Sequence, residues 1–381
     1  MSNKIFDYNK SAQVQVAFNW VYILIAGTVI LLFFVGIVVK QKSAATEDLQ
    51  RDVVEVLESI LVGASVSEKT MNSIKTSALS DYTFEFICQD DSSYFGIKGA
   101  NTKRTKIQPI FAPKQIKTTQ LLLWSLPYNM PYKIMDLLII SSVNNKYLVV
   151  GSSSPFWKRL EKAIKSEKKT DKKFFNFEFL KDLTKITAGK SQQVRIVDLV
   201  GTYVQDGGVV PTGLEKLADN QVTAVSFIGG LTATYYQKNL RVWKKIDSTK
   251  IISLGENPDA AKYAAIFVSD GQTYQCNMMK AFKRMQFINE VYGGKSGQIG
   301  GKLKAIQNYY QKPNAENKNL CQLVLEKQKT TNVVNMFTRL QGAVATCVVS
   351  GYAACPDIIK PADSLKRLNK ELQSKSCLQL Y

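Results

Sequence analysis

Residues 16–39 form an unbroken, uncharged and mostly apolar run, FNWVYILIAGTVILLFFVGIVV over all but its first two positions. At about 1.5 Å of rise per residue, a helix of this length crosses a hydrocarbon core of roughly 30 Å. The run therefore predicts a transmembrane helix behind a short arm, residues 1–15, with a large body on one side of the membrane. A secretory signal would be shorter and would end in small residues, whereas this run passes straight into Lys40 and Lys42. Lysines on both flanks leave the charge rule for orientation nearly neutral.

The following segment, residues 40–63, reads as more helix. Leu49, Val53, Val56, Leu57 and Ile60 recur at helical spacing among acidic and polar residues. Together the two segments predict a long rod, half in lipid and half outside it. The outer apolar stripe needs a cover, supplied either by the body or by another copy of the chain. Gln13 to Gly36, with FNW and an ILIAG-type run leading into a lysine-bounded helix, resembles the N-terminal region of archaeal type-IV-pilin-like proteins. It is also similar to the anchors of archaeal single-pass membrane proteins. The resemblance implies a cytoplasmic N-terminus and an extracytoplasmic, surface-displayed body.

Composition narrows what that body can do. The 381 residues carry a formal charge of +19 and no histidine. A chain without histidine has no Ser-His-Asp or Cys-His catalysis and no histidine-ligated metal. The positive charge favours acidic surfaces: anionic lipid headgroups of the membrane, acidic glycans, nucleic acid or a negatively charged protein partner. Six cysteines include no CxxC pair, which argues against a structural metal site. Cys276, Cys321, Cys347, Cys355 and Cys377 fall late in the chain and are candidates for disulfides pinning the tail to the body; unpaired core cysteines are the alternative. Spacing does not choose among the pairings.

Residues 64–117 read as a connector with strand and loop, and residues 118–295 as an α/β domain. The runs at 120–126, 135–142, 146–152, 194–201, 222–229, 250–255 and 263–271 are too continuous for strands with one wet face. They suit strands buried on both sides of a parallel or mixed sheet in a three-layer body. Helices are expected at 155–165, 213–218 and 278–291. The short spacing between 126 and 152 keeps an antiparallel α+β arrangement open. Residues 296–381 read as a mostly helical, cysteine-containing section, with helices at 303–310, 319–327 and 363–373 and a buried helix or strand pair over 336–354.

Three features invite a functional reading. Gly293-Gly294-Lys295-Ser296 lacks the GxxxxGK[ST] spacing and follows a helix where a phosphate loop needs a strand. Ser152, Ser153 and Ser154 after one strand and Asp270 after another stand where open α/β sheets bind ligands, and form a candidate anion site. The same residue types also cap helices and make turns. The run Lys158, Arg159, Lys162, Lys165, Lys168, Lys169, Lys172 and Lys173 is either a solvated face or a basic patch for lipid headgroups or acidic glycans. Its scant aromatic content argues against nucleic acid. With no catalytic set, no cofactor and no metal expected, the sequence points to a membrane-anchored binding or structural protein, pseudopilus-like or adhesive. The alternative is a tethered nucleotide- or anion-binding enzyme using the strand-end loops.

Overall fold

The computed structural model describes residues 50–64, 71–76, 80–90, 92–100, 103–105, 109–151, 154–165, 175–181, 183, 186, 193–255, 259–294, 300–326 and 333–381, with isolated helical positions at 25, 28, 29, 31 and 32. The arm, most of the predicted span, Ser152, Ser153, Lys168, Lys169, Lys172 and Lys173 lie outside these residues. Among the described residues no helix is long and apolar enough to cross a membrane. The chain divides into two units, Met1–Val56 and Leu57–Tyr381.

In the first unit, Ile25, Val29, Leu31 and Leu32 are helical and 58–64% exposed. Residues 50–64 are helical (α1), and the unit boundary falls within them. The dry stripe of α1 runs through Val53, Val54, Leu57, Leu61 and Ala64, while Val56 is 61% exposed. Of the expected stripe, Val53 and Leu57 are buried as expected, whereas Val56 faces out and Ile60 is half-buried. Leu57 and Leu61 are already covered within a single chain.

The second unit contains three sheets where one was expected. The first has strands β1 (Met71–Lys75), β5 (Ile110–Phe111), β7 (Gln120–Asn129) and β8 (Lys133–Ser142), in the order β1-β7-β8-β5. Both β7 and β8 are buried along nearly their whole length, which is why their sequences do not alternate. The second sheet contains β9 (Asn145–Val150), β10 (Asn176–Phe179), β11 (Gln193–Asp198), β12 (Val222–Ile228), β13 (Thr232–Asn239) and β14 (Val242–Lys250). Its order is β10-β9-β11-β12-β13-β14; the first four strands are parallel and the last two antiparallel. The third sheet, β4-β3-β2-β6, is built from β2 (Phe84–Gln89), β3 (Ser92–Ile97), β4 (Lys103–Thr105) and β6 (Gln115–Ile116).

Helix α2 (Pro155–Lys165) matches its expected span and connects β9 to its parallel neighbour β10. It buries Phe156, Trp157 and Leu160 and exposes Lys158 and Lys162. Residues 263–271, expected as a strand, instead belong to α3 (Ala260–Phe267) and the turn after it. Seven of the eight α3 residues are buried, so its apolar run carries no period, and four alanines favour the helix. Residues 251–255 are irregular, and 213–218 shrinks to a 3-10 turn at Thr212–Leu214.

Helix α4 (Gly271–Gly293) touches strands of all three sheets. The tail helices α5 (Gly301–Gln311) and α7 (Val333–Ser350) pack on α4, while α6 (Lys318–Glu326) contacts α5 and α8 (Ile359–Ser374). The late helical section is thus as expected, with 336–354 resolved as helix α7 and the turn after it.

All six cysteines are paired, as Cys88–Cys276, Cys321–Cys377 and Cys347–Cys355. Cys88, left out of the expected set, joins β2 to α4 across 188 residues. The other two bonds lie within the tail, so they brace it internally and do not tie it to the sheets.

Candidate anion-binding site

Along a strand, alternate side chains share a face. Register places Tyr147, Arg195, Thr223 and Gln237 side by side across β9, β11, β12 and β13. The next row on that face is Val149, Val197, Val225 and Tyr235, all in the main apolar core. Tyr147 still belongs to that core, so Arg195, Thr223 and Gln237 mark where this face of the sheet leaves it. A cavity of about 380 Å³ opens there. Asn145, Lys146 and Gln193 line it from the starts of β9 and β11, Lys114 and Gln115 from the entry to β6, and Ser269 and Asp270 from the approach to α4.

Arg195 is the distinctive member. Its side chain lies in a strand that reads as buried on both faces, and only 8% of the residue is exposed. Its Nη1 is 3.5 Å from Thr223 Oγ1, and its guanidinium carbon lies 5.6 Å from the centre of the Tyr235 ring. Nε and Nη2 have no hydrogen-bond partner among the described residues. These nitrogens share the edge that grips a carboxylate or phosphate side-on. Burial pushes the guanidinium pKa down, while Tyr235, Tyr147 and Asp270 push it back up. An arginine remains charged regardless.

The other charges at the cavity are engaged. Lys114 pairs with Asp270 at 2.9 Å and Lys146 with Glu178 at 2.7 Å. Asp270 is the N-cap of α4 and accepts from Thr273 N at 2.7 Å. Burial raises its pKa, but the bonds from Thr273 and Lys114 outweigh that and hold the carboxyl below its ordinary range. Asp247 accepts from Gly271 N and Gln272 N. The first amides of α4 are thereby filled by the protein's own carboxylates, which removes that helix end as an anion site.

The two halves of the sequence-derived site stand apart. Asp270 lines the cavity with the first residues of β9, whereas Ser154 follows the last ones and caps α2 by accepting from Phe156 N and Trp157 N. Nearby Asp198, at the end of β11, is fully buried. It accepts from Val200 N, Gly201 N, Tyr203 N, Val204 N and Ser226 Oγ at 2.8–3.2 Å. Gly151 turns there at φ +100°, and a Cβ would come within 3.1 Å of Val200. This crowded strand end organises loops. Gly294 ends α4 at φ +88°, with its N–H on Glu290 O, so the glycine-rich motif acts as a helix stop.

One lysine–serine contact also exists. Lys280 donates to Ser93, which donates to Asn277 Oδ1 at 3.1 Å, and Asn277 Oδ1 also accepts from Ile110 N. Ser93 is 2% exposed, and the cluster braces β3 against α4 beside the Cys88–Cys276 bond. Among the described residues no group of three or more Cys, Asp or Glu side chains is placed to hold a metal.

Sequence reasoning passed over Arg195. The available signal was a lone cation inside VRIVDLV, a run otherwise fit for burial. No protein-family model, no curated protein and no solved structure matches this chain.

Proposed function

We propose that the chain is a tethered binding protein of an oxidising compartment that takes a small anion at Arg195. The observation that carries this is the unfilled Nε/Nη2 edge of the buried guanidinium of Arg195, a residue that lines a polar cavity. A buried charge with unfilled hydrogen bonds is costly, and an anionic ligand offsets that cost. Three disulfides among six cysteines support the compartment. The apolar run at 16–39, with exposed Ile25, Val29, Leu31 and Leu32, supports the tether.

Thermal unfolding of the full-length chain in detergent, in rising acetate, phosphate or sulfate at constant ionic strength, tests the site. A ligand that binds only the folded state raises the midpoint. The midpoint should climb for the wild type and stay level for Arg195→Gln. Equal climbs, or none in either, reject the proposal. Protease applied to intact cells should remove the body; protection in cells with digestion in inverted vesicles would reverse the orientation.

A further inference from the structure

The cavity at Arg195 carries more carboxamides than a simple anion requires. Asn145, Gln193, Asn220 and Gln237 all line it. The side chains of Gln193 and Asn220 have no hydrogen-bond partner among the described residues. A carboxamide offers donors and an acceptor together, which suits hydroxyl groups that also donate and accept. We infer that the ligand is an acidic sugar, a hydroxylated ring with one carboxylate, seated with the carboxylate toward Arg195 and the hydroxyls on the amides.

This rests on the anion-binding proposal and goes further by naming the ligand class. Charge limits the choice. Lys114 and Lys146 are committed to Asp270 and Glu178, leaving Arg195 as the lining cation without an ion pair among the described residues. One uncommitted cation matches a monoanion such as a uronate better than a phosphate monoester, whose charge approaches −2. Size points the same way: about 380 Å³ lies near the lower end of the roughly 300–1,000 Å³ typical of small-molecule clefts. Ile246 and Pro113 add an apolar wall for the C–H face of a ring.

Calorimetric titration of the full-length chain in detergent with methyl glucuronide, methyl glucoside, acetate and inorganic phosphate tests the assignment. Methyl glucuronide should bind at least about tenfold more tightly than each of the other three. Arg195→Gln should weaken it by about ten- to a hundredfold, the usual range for losing a charge-assisted pair. Gln193→Ala and Asn220→Ala should each weaken the uronide by roughly three- to tenfold and leave acetate unchanged. A uronate-terminated disaccharide separates two sources: retained affinity supports the end of an acidic polysaccharide, and lost affinity supports the free sugar. Arg195→Lys, which keeps the charge without the fork, should behave like Arg195→Gln while unfolding normally. If acetate or phosphate binds as tightly as the uronide and the amide variants are silent, the sugar assignment is wrong and the anion site stands. If none of the charged probes binds, both fall.

Discussion

Two charged residues three positions apart on β11 have opposite surroundings. Asp198 is fully buried and accepts five hydrogen bonds, four of them from backbone amides of the loop that follows. Arg195 is nearly as buried, yet one whole edge of its guanidinium is unfilled. A saturated internal charge belongs to the architecture, because the fold supplies everything it needs. An unsaturated one at a cavity is a place where the fold alone is incomplete. The difference separates a structural carboxylate from a candidate site, although both sit in one short strand.

Substitutions separate the two residues. Asp198→Ala should cost about 3–5 kcal/mol in denaturant unfolding, since several buried amides lose their acceptor together. A cost below about 1 kcal/mol would remove Asp198 as the loop organiser. Replacing both Cys88 and Cys276 with alanine should cost about 2–4 kcal/mol, because that bond closes a long loop. Its effect on anion affinity at Arg195 should be smaller than that of Arg195→Gln, as read by parallel titrations. Arg195→Met should leave stability unchanged or raise it by up to about 2 kcal/mol, since an apolar side chain carries no unfilled donors. A large loss of stability would make Arg195 structural, like Asp198, and erase the contrast.

The smallest effect concerns Asp270. Its folded pKa is held below the unfolded value, so its stabilising contribution is present above about pH 4 and disappears as pH falls through the folded value. Asp270→Asn should flatten the acid limb of stability against pH and cost at most about 1 kcal/mol at neutral pH. An unchanged acid limb would show that Lys114 and Thr273 do not hold the carboxylate as described.

Much of the fold was legible wherever burial leaves a simple trace. The runs behind β7, β8, β9, β11 and β12 announce strands with two dry faces, and α2 shows an apolar set at helical spacing after Pro155. Strand β14 escaped because its wet positions carry Lys244, Lys245 and Ile246, which mask the buried Trp243 and Thr249. Helix α3 reads as a strand in the sequence because a helix buried all round lacks the periodicity that identifies one. The division into three sheets depends on pairings such as Met71 with Trp124, which no local pattern encodes. The site was half legible: Asp270 stands at the cavity, but the amides and Arg195 converge only through strand register.

The Cys88–Cys276 bond joins two thiols that are synthesised far apart in time. Synthesis at roughly 5–20 residues per second delivers the first thiol about 10–40 s before its partner, given the 188-residue separation. Throughout that interval Cys88 lacks its native partner, while the tail pairs, 8 and 56 residues apart, wait far less. Correct pairing therefore requires that this early sulfur stay unpaired until α4 has been made.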